Sequence, residues 1–388
     1  MRYRKPVLPL LLLPVTLMVF ASILFYAHNS VTSQTRSKSA NTNGAAGQKR
    51  NSNEPSGTPT PTNSTEVVKV DVDLVKVDAL VLQKNTARIV GGLKKEDFLI
   101  YEDGTKQEIT HFSQDMLPLS VLLVIDRGAC LDAYGDEVHH AAREAIDRLK
   151  PVDEIAVMAY ANTTVLVQPF TRNRIMIENA LNRIPPQAGF VEHCLNNLFA
   201  DAAAYMIKAS NPAGRRVVIV ITGVTRRFDC SDGPSDKSAA HAIYESGSVV
   251  CGILPKVRAG SIESGIMTTA TRVSRLAGAD YMDIQSLANE TGGEVMSDKP
   301  EKLDTTFQTL IDHLRSRYNL AFVSTNKKRD GTTRKLKLDL APSIPKSQGK
   351  LVIKARRSYI APHQPQRSTT RPAQGIRNIN GRKSALQT

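Results

Sequence analysis

The chain has 388 residues, 41% of them hydrophobic, and a formal net charge of +14. That length buries a substantial core and accommodates two domains plus tails. The charge lies at the ends: residues 1–65 carry seven Lys/Arg against one acid, residues 66–324 carry 28 against 34, and the last 64 carry sixteen against two. A mildly acidic body argues against nucleic acid as its partner, and a basic tail alone specifies none.

Arg2, Arg4 and Lys5 precede a largely apolar run from Pro6 to Ala27. About 22 residues suffice to cross a bilayer as a helix. A cut after Ala27 would place Phe25 where a signal peptidase prefers a small residue, so residues 1–28 read as an uncleaved signal anchor in preference to a cleaved peptide. The membrane contact is then residues 6–27, and the body is exported, periplasmic or at the cell surface. In that compartment the four cysteines are free to pair. Residues 29–65, rich in Ser, Thr, Asn, Gly and Pro, read as a disordered linker.

Residues 66–116 form a β segment. Val68, Val70, Val72 and Leu74 share one phase and Val75, Val77, Ala79 and Val81 the other, so a break or bulge is expected at Leu74–Val75. The carboxylates of Asp71, Asp73 and Asp78 read as the wet face of a strand. Asp103-Gly104 is a hairpin turn between strands at Phe98–Tyr101 and Gln107–Phe112.

From residue 117 strands alternate with amphipathic helices, the pattern of a parallel α/β sheet. Val121–Ile125 is an unbroken apolar run, as in a strand buried on both faces, and it ends in Asp126, where open α/β sheets place their binding sites. Val138, Ala142, Ala145 and Leu149 make one helical stripe; His139 and His140 point about 100° apart on that helix and cannot easily share a metal. Further strands are expected at 155–161, 165–167, 217–222, 248–254 and 294–296. Helices are expected at 175–181, 195–209, 239–245, 284–290 and 303–317. Residues 318–361 return to β character, with strands at 318–324, 334–340 and 351–356 expected to pack with 66–116. Residues 362–388 read as a disordered basic tail.

In order, EDFLIYEDGTKQEITHF, LSVLLVID, PVDEIAVMAYANTTVLVQPFT, GRRVVIVITG, LANETGGEV and LRSRYNLAFVSTNKKRDGTTRKLKLDL resemble the bacterial VWFA-related family, a divergent von Willebrand factor A domain with an amino-terminal β segment. The resemblance covers roughly residues 66–360. It implies an open, mostly parallel sheet with helices on both faces over 117–317, a small β domain beside it, and a protein partner. It also implies where a metal would sit. The first loop keeps Asp126 but has Gly128 and Cys130 in place of hydroxyls. The second offers Val191 in a segment without Thr or Ser, and the third has Gly223 where an Asp is usual. A hard cation needs about six oxygen ligands, so the site reads as degenerate and without metal. Replacement by Glu192 or Asp229 remains an alternative, as does a structural envelope scaffold using its basic tail. In A domains these loops converge, which makes Cys130, Cys194 and Cys230 disulfide candidates. Cys130–Cys194 is favoured, with Cys194–Cys230 close behind, while Cys251 sits in a buried strand as a core residue.

Enzymatic and cofactor readings find little support. Glu192-His193-Cys194 suggests a thiol nucleophile, but catalytic partners normally converge from separate elements. Gly91-Gly92 and Gly292-Gly293 read as turns, not phosphate cradles, and no CxxC pair is present. Neither an enzyme nor a cofactor is expected.

Overall fold

The computed structural model describes residues 74–128, 131, 135–184, 193–211, 214–224, 226–228, 230, 232–256, 281–342, 344 and 349–363. The expected anchor, linker, residues 66–73 and the tail beyond 363 lie outside them. Among the described residues no helix is long and apolar enough to cross a membrane.

The strands are β1 (Leu74–Gln83), β2 (Phe98–Glu102), β3 (Thr105–Gln107), β4 (Ile109–Ser113), β5 (Leu119–Asp126), β6 (Glu154–Tyr160), β7 (Thr164–Thr171) and β8 (Arg215–Ile221). They continue with β9 (Arg226–Phe228), β10 (Val249–Pro255), β11 (Tyr281–Asp283), β12 (Val295–Asp298), β13 (Tyr318–Val323), β14 (Thr333–Leu340), β15 (Leu351–Lys354) and β16 (Ser358–Ile360). The helices are α1 (Gly135–Asp147), α2 (Arg174–Leu181), α3 (Leu195–Met206), α4 (Asp236–Ser246), α5 (Ile284–Thr291) and α6 (Leu303–Arg315).

The central sheet has the order β12-β10-β8-β5-β6-β7, parallel throughout except for the edge strand β7. Every residue of β5 is buried, as its apolar run requires of a central strand between helical layers. Leu119, Val121, Leu123 and Ile125 face a core shared with α1, α2 and α6, while Leu122 and Val124 face α3, α4 and α5. That alternation follows from the two-residue period of a strand. Side chains of Asn173, Ser235 and Asp283 cap α2, α4 and α5 by accepting from the first free backbone N–H groups.

Of the remaining strands, β9 and β11 pair with each other, and the other eight form two four-stranded sheets, β15-β1-β13-β4 and β16-β14-β2-β3. They close over one core that includes Val77, Val81, Phe98, Ile100, Tyr318 and Phe322. Strand β1 lies between β13 and β15, so segments from both sides of the α/β unit share this sandwich. Asp103 and Gly104 both take positive φ, 46° and 85°, the two-residue turn that matches strand twist.

Three features depart from the sequence expectation. The strand expected at Gln107–Phe112 divides: β3 pairs with β2, whereas β4 crosses to β13 in the other sheet. Asp78 is not on a wet face. Its carboxylate is 2.7 Å from Arg215 Nε of the α/β unit. Burial pushes that carboxyl up, but the charge and hydrogen bond of Arg215, with Arg317 and Arg356 beyond, hold it below the usual carboxylate range. Lastly, β9, β11 and β16 were not expected, because three residues are too few to show a period.

Candidate functional site

Strand β5 leads into α1 on one face of the sheet and β8 leads towards α4 on the other. Neighbouring strands whose connections part in this way open a crevice at their carboxyl ends. Asp126, the last residue of β5, and Thr222, just after β8, stand at that point, 4% and 0% exposed.

The Asp126 carboxylate is met from several directions. Its Oδ1 accepts from the Gly128 N–H at 2.7 Å. Its Oδ2 accepts from the Thr222 hydroxyl at 2.6 Å and, more weakly, from the Tyr160 hydroxyl at 3.4 Å. Tyr160 also donates to Thr222 Oγ1 at 2.9 Å, and that oxygen accepts the Val224 N–H at 2.9 Å. A buried carboxylate requires such partners, because desolvation without them costs several kcal/mol.

His193 completes the arrangement. It is 4% exposed, and its Nδ1 lies 3.2 Å from Asp126 Oδ1 at an angle unsuited to a hydrogen bond, so the contact is electrostatic. The ring lies over Gly128, where an added Cβ would stand only 2.3 Å from His193 Cε1. A residue larger than glycine at 128 and this imidazole therefore compete for one space. His193 holds φ at 55°, a left-handed conformation that is uncommon outside Gly, Asn, Asp and His and tends to occur at functional positions.

The next residue is held covalently. Cys194 precedes α3 and forms a disulfide with Cys230, with Cα atoms 5.5 Å apart. This replaces the favoured pairing with Cys130. The cause is Asn196 in the first turn of α3. Its Oδ1 accepts the Cys230 N–H at 3.2 Å, and its Nδ2 donates to the carbonyls of Cys230 and Pro234 at 3.2 and 2.8 Å. That clamp holds the segment carrying Cys230 against Cys194. With its sulfur oxidised, Cys194 has no thiol for the nucleophile that its neighbours suggested. Burial pushes the free Cys251 thiol up to about 11, which makes it an inert core residue.

Of the residues singled out for a metal, Asp126, Gly128 and Gly223 fall in the described residues; Cys130, Val191, Glu192 and Asp229 lie outside them. Among the described residues no group of three or more His, Cys, Asp and Glu side chains gathers where a metal could be held. Sequence reasoning met His193 only beside Cys194 in the thiol-nucleophile reading, and not as the neighbour of Asp126. Only the unusual glycine at 128 hinted that something else filled the space.

No family model matches the chain, and no curated protein does. Solved structures do. An aerotolerance-related membrane protein from Bacteroides fragilis is 16% identical with a TM-score of 0.37, over 50% of this chain and 98% of its own. The VWA domain of SpRpn10 is 14% identical with a TM-score of 0.33, over 49% of this chain and 93% of its own. Proximal thread matrix protein 1 from the mussel byssus, with a zinc-occupied MIDAS motif, is 13% identical with a TM-score of 0.39, over 52% of this chain and 49% of its own. Strand order and helices on both faces give this chain's α/β unit a von Willebrand A-type fold, with the crevice at Asp126 and a small β domain beside it.

Proposed function

We propose that the chain is an exported, membrane-anchored protein-interaction module whose A-type crevice is degenerate for metal and which binds its partner without one. The observation that carries this reading is the His193 ring, which occupies the space over Gly128 and approaches the Asp126 oxygen. A hard cation such as Mg²⁺ seeks about six oxygen ligands in near-octahedral array. Among the described residues the acid of the crevice, Asp126, is already engaged by Thr222, Tyr160 and the Gly128 N–H. Export and anchoring rest on the basic residues and apolar run that open the sequence. The oxidised Cys194 supports a non-catalytic role.

Two measurements test the reading. Millimolar Mg²⁺, Mn²⁺ or Ca²⁺ should leave the melting temperature unchanged, and partners cross-linked in cells should be captured equally with and without chelator. A melting temperature raised by metal and lowered again by chelator would overturn it, since a ligand that binds only the folded state must stabilise that state.

A further inference from the structure

A cleft with a volume of about 960 Å³ lies where β14 and the β15–β16 segment face α4 and α5. Strand β14 is paired with β2 along one side from Leu336 to Leu340. The Lys335 carbonyl and the Ala341 N–H bond across towards Asp103 and Asp97, while the Leu336 N–H turns the other way, to the Arg357 carbonyl at 2.7 Å. Alternate residues of a strand direct their backbone groups to opposite sides. Leu338 and Leu340 therefore point theirs away from β2, and no backbone partner meets them there among the described residues. Strand β16 covers only the start of β14, opposite Thr333–Lys335. Among the described residues the second half of β14 is an open edge, and an open edge is a template for another strand.

The cleft beside that edge is cationic. Lys335, Lys337, Arg356 and Arg357 line it against two carboxylates, Glu290 and Asp339. The carboxylates already pair with Arg357 and Lys337, at 3.7 and 2.7 Å. The side chains of Lys335 and Arg356 have no hydrogen-bond or ion-pair partner among the described residues. Burial draws the Arg356 guanidinium down, with Asp78 acting against it. The chain's own ends do not suit the cleft: residues 364–388 carry five basic side chains and no acid, and residues 1–65 are also net basic.

We propose that the edge of β14 over Leu338–Leu340 receives an extended, acidic segment of a partner protein as an added strand, with Lys335 and Arg356 drawing its carboxylates into the cleft. This rests on the interaction-module reading and names the chemistry of the partner. Backbone pairing supplies the docking geometry and the unpaired cations select for acid.

The test uses the full chain and a capped, fluorescent peptide of alternating Glu and Val residues, followed by anisotropy. Saturable binding is expected that weakens as salt is raised, falls roughly fivefold or more in Lys335→Glu, and is lost when alternate peptide nitrogens are methylated. The matching Lys/Val peptide should not bind. Lys335 is exposed, so the variant is expected to fold, and unchanged melting confirms it. The methylated peptide tests the same point on the unaltered chain. Absence of saturation, equal binding of the Lys/Val peptide, or undiminished binding of the methylated one overturns the proposal. In each of those cases chelator-resistant capture of cross-linked partners by Lys335→Glu would leave the interaction module standing and move its surface elsewhere.

Discussion

Two buried carboxylates, Glu102 in the β sandwich and Asp126 in the crevice, share a design up to a point. Each accepts from a tyrosine and a smaller hydroxyl: Tyr359 at 2.5 Å and Ser324 at 2.6 Å for Glu102, Tyr160 and Thr222 for Asp126. They differ in the basic side chain beside them. Glu102 faces Arg334 at 3.3 Å; both residues are 2% exposed, and Arg334 also donates to the carbonyls of Asn326 and Lys328. Burial pushes the Tyr359 phenol well above its ordinary value, so it remains a donor. Asp126 faces an imidazole carried by a residue in a left-handed conformation. A guanidinium keeps its charge at every physiological pH and is gripped here by β2 and by the turn that precedes β14, whereas an imidazole is charged only when protonated. One acid is locked into the fold, and the other has a removable companion.

The sharpest way to break this contrast is to remove each basic side chain. Arg334→Met leaves Glu102 buried without its charge partner and should cost about 3–5 kcal/mol in denaturant unfolding. His193→Gly should cost much less, because glycine adopts the left-handed backbone freely and Asp126 keeps its three other donors. Equal losses would show that the two acids are held alike.

Next in size is the covalent tie beside His193. Replacing Cys194 and Cys230 by serine opens a bridge with a sequence separation of 36, worth about 3–4 kcal/mol in the chain-entropy model. Non-reducing peptide mapping should recover the Cys194–Cys230 linkage, with Cys251 alkylated only after unfolding. A recovered Cys130–Cys194 peptide would refute the arrangement of the crevice.

Gly128→Ser sharpens the comparison from inside the site. The new Cβ meets the His193 ring, and such overpacking costs roughly 1–3 kcal/mol. In the His193→Gly background most of that cost should vanish, giving a clear coupling in a double-mutant cycle. Additive losses would mean that the ring does not hold that space.

The smallest effect concerns Asp78, which joins the two regions through Arg215. Its folded pKa is depressed, so the unfolded chain binds more protons on acidification. Its contribution is therefore complete above the ordinary carboxylate range and is lost as pH falls through the folded value. The unaltered chain should lose more stability between pH 6 and pH 3 than Asp78→Asn does. A steeper loss in the variant would reverse the sign assigned here.

Much of the architecture is legible because burial on both faces writes itself as unbroken apolar runs. β5, β8 and β10 are such runs, and the stripe through Val138, Ala142 and Ala145 marks α1 as plainly. The loss of hydroxyls at the first loop was equally visible at Gly128. What replaced them was not. It depends on a positive φ at His193 and on Asn196 reaching a backbone 34 residues away. Asp78 was misread for a related reason: its partner lies 137 residues along the chain, and a polar residue on a strand looks wet until that partner is known.

The pairing of β4 with β13 sets how the molecule bears tension. Ser113 stands opposite Asn319, so the chain enters and leaves the whole α/β unit through two hydrogen-bonded neighbours. A pull on residue 74 against residue 363 is carried by the sandwich, from β1 through β13 and its core to β14 and β16. The α/β unit lies beside that line as a loop closed by the β4–β13 ladder, tied to the strands through Asp78–Arg215 and through the Arg357 N–H to the Glu290 carbonyl. The full length of β5 separates the point where the chain enters that unit from the crevice at Asp126.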